Sequence, residues 1–138
     1  MKDILLINVS GQDKAGVTSA VTEVLSRYDV SVLDIGQAVI HDQLNLGILA
    51  AVPHSDQTKA VTDAVLIRLN NLHMAVRFIP ISKQDYQSWV EQQGKPRHIV
   101  TLLARKIDAG HLAAVTKVTS EQGLNIDKIV RLSGRVEL

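Results

Sequence analysis

Two short stretches put a glycine where an amphipathic helix begins, QDKAG at 12–16 and KIDAG at 106–110. Glycine in a helix costs about 1 kcal/mol relative to alanine, so its use in two first turns asks for a reason. The first N–H groups of a helix have no partner within it and lie at the positive end of its dipole, which suits an anion. With no side chain at Gly16 or Gly110, a carboxylate such as that of an amino acid can reach them. The ammonium of that amino acid then needs oxygens, which Asp13 or the Ser10 carbonyl can supply. The alternative reading of the same residues is that glycine only lets a neighbouring helix or strand pack closely, with no ligand.

Other chemistry finds less support. The five histidines, His41, His54, His73, His98 and His111, lack H-x3-H or H-E-x-x-H spacing and read as surface or cap residues. His111 stands where the first stretch has Val17, as a half-buried packing residue or a ligand contact. Ser10, Ser19, Thr22 and Ser26 have no histidine at the spacing of a nucleophilic triad. Residues 11–16 lack the G-x-G-x-x-G and G-K-[ST] patterns of a phosphate cradle. The chain has no cysteine, which excludes disulfides, thiolate metal sites and thiol nucleophiles.

A chain of 138 residues with 46% hydrophobic and 21% charged residues can bury a core and is not of disordered composition. A formal net charge of +1 and 3% aromatic residues give no reason to expect nucleic acid or an anionic membrane as partner. No signal sequence and no apolar run of roughly 18 residues is present, so the expected location is the cytoplasm.

The elements that position the first glycine follow from periodicity. Residues 4–10, ILLINVS, read as a buried strand. Val17, Ala20, Val21, Val24, Leu25 and Tyr28 share one helical face, with Asp13 as the expected N-cap. VSVLDIGQAVI and LNLGILAAV form a hairpin around HDQ at 41–43. A second helix follows, capped by Ser55 or Asp56 and striped by Val61, Ala64, Val65, Leu69 and Leu72, and residues 74–81 close the sheet. Pro80 there tolerates only an edge. With right-handed crossovers this order is an α+β, ferredoxin-like βαββαβ sandwich over residues 1–82. Residues 83–97 read as a linker, with a short helical turn carrying Tyr86, Trp89 and Val90.

At 98 the pattern restarts at an offset of about 94 residues: Ala15, Gly16, Ala20, Val21, Thr22, Val24, Ser26 and Ile35 recur as Ala109, Gly110, Ala114, Val115, Thr116, Val118, Ser120 and Ile129. The second copy, 98–138, holds only strand, helix and strand. A half sandwich exposes an unpaired edge, so the chain reads as part of a longer protein or as completed by another chain.

The QDKAGVTSAV turn and its counterpart IDAGHLAAV resemble the ACT domain, a small-molecule-sensing module of βαββαβ order. Where that family has Asp, a basic residue, Pro and Gly, this chain has Asp13, Lys14, Ala15 and Gly16; in the second copy Lys106, Ile107, Asp108 and Ala109 precede Gly110. Arg97-His98 and the NIDKIVRLSGR run, within the tandem arrangement, are similar to the region preceding the catalytic domain of long bacterial phosphoserine phosphatases. The resemblance implies an amino-acid-sensing regulatory region, with L-serine held at the Gly16 turn, commonly between two packed units, and a homodimer. The implied ligand-binding residues are Ser10, Asp13, Lys14, Ala15, Gly16 and Val17, with Gly110, His111, Asn125 and Asp127 in the second copy; the last two also read as plain turn residues. The parent enzyme would hydrolyse O-phospho-L-serine in a haloacid-dehalogenase-type domain, with an aspartate nucleophile in a D-x-D-x-[TV] run and Mg²⁺ assisting. No such run occurs in this chain, which is therefore expected to be non-catalytic, with no cofactor or metal site of its own. The rival readings are a stand-alone tandem ACT regulator of metabolism or transcription, and a small enzyme on a ferredoxin-like sheet.

Overall fold

Leu5, Ile7 and Val9 alternate along the first strand, and Leu44, Leu46, Ile48, Ala50 and Val52 along the third; in the computed structural model all eight are buried. A period of two gives each strand one inward face. The structure describes residues 2–132. Their elements are β1 (Asp3–Gln12), α1 (Val17–Arg27), β2 (Ser31–Ile40), β3 (Gln43–Val52), a 3-10 turn (Ser55–Gln57), α2 (Thr58–Asn70), β4 (Ala75–Ile81), α3 (Lys83–Gln92) and α4 (Ala109–Glu121). The chain divides between Lys95 and Pro96 into two units.

The first unit is the expected βαββαβ sandwich. Its sheet has the order β2-β3-β1-β4 and every pair is antiparallel. Central β1 pairs with β3, Ile7 opposite Ile48, and with β4, Ile7 opposite Phe78. Val17, Ala20, Val21, Val24 and Leu25 of α1 and Val61, Val65 and Leu69 of α2 close over the inward face. Each such valine or leucine side chain contributes about 1.5–3 kcal/mol when fully buried, so this shared apolar layer sets the sheet register. Pro80 lies on the edge strand β4, where its missing donor costs no ladder bond on the open side.

Neither Ser55 nor Asp56 caps α2. Those two residues form the 3-10 turn, and α2 starts from Gln57 without a side-chain cap. The polar stretch read as a linker contains α3 across its first ten residues. Ser82 accepts from the Asp85 N–H at 3.1 Å and caps it, and the Tyr86 and Trp89 rings lie 5.8 Å apart. The S-K-Q-D spacing at 82–85 is a sequence-level start signal that composition outweighed.

In the second unit α4 forms, but the flanking segments 98–108 and 124–132 join no ladder, contrary to the strand, helix, strand expectation. The cause lies in the topology of the first unit. There β1 and β2 never pair; each pairs with β3, which stands between them. Among the described residues of the second unit no segment takes the place of β3, so neither flanking segment has a strand to bond. Ile99 and Leu103 are accordingly 94% and 88% exposed. Among the described residues no helix is long and apolar enough to cross a membrane.

Both α1 and α4 end in the same motif, 94 residues apart. After α1, Asp29 takes φ 55°, with its N–H donating to the Ser26 carbonyl and that of Val30 to Leu25. After α4, Gly123 takes φ 73° and its N–H donates to Ser120, with Leu124 donating to Thr119. This left-handed position favours glycine, and an exposed aspartate there is strained. Asp29→Gly, as in the second copy, is expected to stabilise the first unit by about 0.5–1 kcal/mol in chemical denaturation.

Candidate functional site

The β1–α1 turn is held from three sides. The Asp13 N–H donates to the Asp42 carbonyl in the β2–β3 hairpin at 2.6 Å. The Lys14 ammonium donates to the Leu72 carbonyl, just past α2, at 2.7 Å. The Thr18 hydroxyl donates to Gln37 Oε1 on β2 at 2.5 Å. The turn is thus fastened to the hairpin, to α2 and to the edge strand before any ligand is considered.

Its last residue, Gly16, is the N-cap of α1. It takes φ 92°, ψ −1° and has no side chain to offer, and no other side chain caps the helix. Its carbonyl accepts the Ala20 N–H at 2.9 Å, so Val17, Thr18 and Ser19 are the N–H groups without an intrahelical partner. Asp13 is therefore not the cap that the sequence predicts: its backbone goes to the hairpin, and the chain needs three more residues to reach the helix. A Cβ on Gly16 would meet nothing within 4 Å. The glycine is required by its left-handed backbone and opens onto free space, so among the described residues no close-packed neighbour accounts for it.

That space is an open hollow of about 420 Å³ lined by Asp13, Lys14, Ala15, Gly16, Val17, Thr18, Ser19, Gln37 and Leu44. Five of the six first-copy residues singled out from sequence come together here. Lys14 lines the hollow, with one of its ammonium N–H groups donated to the Leu72 carbonyl. Ser10 is elsewhere: it is paired with Asn45 and Ala75 in the sheet and lines a separate hollow. Sequence reasoning missed Thr18 and Gln37. With Oε1 accepting from Thr18, the Gln37 amide NH₂ is left as a donor. The available signal was its position in the Ile35, Gln37, Val39 row, opposite Ile48, Leu46 and Leu44, as a polar residue on an otherwise apolar face.

Gly110, His111, Asn125 and Asp127 lie in the second unit, all exposed. Gly110 does not repeat Gly16. It sits inside the first turn of α4 with an ordinary backbone, because Asp108 supplies the cap and the helix starts earlier. The Asp108 carboxylate accepts the His111 N–H at 3.0 Å, and His111 Nδ1 accepts the Asp108 N–H at 3.2 Å. His111 is thus half of a capping box rather than a core residue, since the start of α4 keeps its ring at the surface. Among the described residues no cluster of three or more His, Asp or Glu side chains is arranged to hold a metal ion.

Comparison with known proteins adds a family and a set of relatives. The ACT domain family model matches residues 3–79. Phosphoserine phosphatase SerB2 of Mycobacterium tuberculosis is 35% identical over 131 residues, covering 94% of this chain and 31% of that protein. A phosphoserine phosphatase of Streptomyces coelicolor is 28% identical over 129 residues, covering 94% and 30%. The chain thus spans about a third of the length of these curated relatives. Among solved structures, an ACT domain protein from Streptococcus pneumoniae superposes with a TM-score of 0.51 at 15% identity, over 56% of this chain and 89% of that one.

Replacing Gly16 by alanine adds no clash but forces an L-residue into a left-handed backbone. Gly16→Ala is expected to cost about 1–2 kcal/mol in urea denaturation without changing the cooperativity of the transition.

Proposed function

The chain belongs to the ACT domain family, and from that premise we propose that its first unit senses an amino acid, L-serine, at the Gly16 turn. The observation that carries this reading is the uncapped start of α1: three N–H groups with no intrahelical partner, open to a hollow because only glycine precedes them. A carboxylate there accepts those N–H groups at the positive end of the helix. In this reading Asp13 receives the ammonium and the Gln37 amide the side-chain hydroxyl, both residues lining the hollow.

The parent protein in this proposal is a phosphoserine phosphatase. It hydrolyses O-phospho-L-serine to L-serine and phosphate, so the sensed molecule is its product and binding exerts feedback. The catalytic domain, of haloacid-dehalogenase type and assisted by Mg²⁺, lies outside this chain in this proposal. Residues 98–138 belong to a second ACT-like module in this scheme, whose sheet forms once a strand fills the place that β3 takes in the first unit. The protein works in the cytoplasm as a homodimer. The long edge of β2, exposed at nine of its ten positions and carrying Val32, Ile35, Val39 and Ile40, supports such pairing.

A panel of the twenty amino acids in thermal denaturation, followed by calorimetry, tests the sensing. L-Serine is expected to raise the midpoint by mass action, and Gln37→Ala to weaken its binding. If no amino acid moves the midpoint or gives a binding heat, the sensing reading is wrong and the turn is a packing or assembly device.

A further inference from the structure

The sheet face turned away from the helices carries a second hollow, of about 560 Å³, whose lining includes Asn8, Ser10, Asn45, Gly47, Ala75 and Arg77. Its polar side chains come from two neighbouring rows of the ladder. Asn8 lies between Gly47 on β3 and Arg77 on β4; Ser10 lies between Asn45 on β3 and Ala75 on β4. Gly47 in one row and Ser10 and Ala75 in the other are small, and they leave the depression. The Asn8 amide leans over the Gly47 gap, where a Cβ on Gly47 would come within 3.7 Å of Asn8 Oδ1.

Asn8, Ser10, Asn45 and Arg77 make no side-chain hydrogen bond or ion pair with any other described residue. Arg68 and Arg27, by contrast, are both engaged by Glu23, and Lys14 by Leu72. The strand residues of this face include one acid, Asp34, which stands opposite Leu49 outside the hollow and accepts the Ile35 N–H at 2.9 Å. The hollow therefore offers one guanidinium fork, two carboxamides and a hydroxyl, with no carboxylate of its own. A guanidinium presents paired N–H groups that match a carboxylate, and such charge-assisted pairs are the stronger hydrogen bonds.

We propose that this outer-face hollow binds a small organic acid, its carboxylate on Arg77 and its remaining polar groups on Asn8, Asn45 and Ser10. The site is separate from the Gly16 turn and does not depend on it. One cation admits one carboxylate, and the amides select for a hydroxyl or amino substituent beside it.

The test is a titration of the full 138-residue chain with sodium acetate, glycolate and malate, followed by ¹H–¹⁵N spectra that include side-chain amides. Saturable shifts are expected at the Arg77 Nε–H and the Asn8 and Asn45 NH₂ groups, larger for glycolate than for acetate. Arg77→Met should weaken binding about tenfold or more, and Asn45→Ala should abolish the preference for glycolate while leaving acetate binding in place. The proposal is overturned by no saturable shift in the unaltered chain, by equal shifts in Arg77→Met with its spectrum otherwise native, or by shifts confined to Val17, Thr18 and Ser19. Sodium chloride at matched ionic strength must leave the Asn8 and Asn45 signals unmoved; if it moves them equally, the effect is screening and no site exists.

Discussion

In the strand order β2-β3-β1-β4 the two strands that flank α1 never touch. Strand β3 lies between them, and its ladders to both neighbours turn a helix between two parallel strands into a closed layer. The consequence runs in two directions. In the first unit β3 carries an unbroken inward row from Leu44 to Val52 that meets both helices, and the hairpin that delivers it carries the carbonyl that fixes Asp13. In the second unit the same helix stands with nothing between its flanking segments, and the leucines and isoleucines that a sheet would bury are exposed. Local propensity makes α4; only a non-local partner makes the strands around it.

The turn that begins α1 depends on that arrangement. A helix start without a side-chain cap is ordinarily a weak point. Here the turn is held by long-range bonds from Asp13, Lys14 and Thr18, so its open N–H groups keep a fixed direction without being consumed. α4 shows a different solution: Asp108 and His111 form a local capping box, in which the Asp108 carboxylate occupies the His111 N–H of the first turn. Two helices related by an internal repeat thus differ in what their first turns can offer, because the aspartate stands one position nearer the glycine in the second.

How far this was readable in advance follows from the range of each interaction. The apolar periods of residues 4–10, 17–28 and 44–52 fix strand, helix and strand because burial acts on every second or every third to fourth residue. The doubled glycine pointed to the turn, and Asp13 to Val17 do line its hollow. The expected cap at Asp13 failed because its N–H is drawn to a carbonyl of the hairpin, far along the chain. Gln37 went unnoticed because its role arises where β2 passes Thr18, a meeting that no local window contains. The linker helix α3 was legible in its S-x-x-D start, yet its polar composition obscured it. For His111, alignment with Val17 suggested burial, while the nearer relation, three residues after Asp108, decided its place.

Lys14 answers to Leu72, fifty-eight positions away, and that allegiance has an electrostatic outcome at the turn. That tie holds the ammonium in place without cancelling its charge, so the mouth of the helix carries one formal charge of each sign, on Lys14 and Asp13, beside the partial positive charge of the helix end. Such a mouth balances a visitor that itself brings one charge of each sign, so neutrality as a whole, more than any one contact, sorts what can stay.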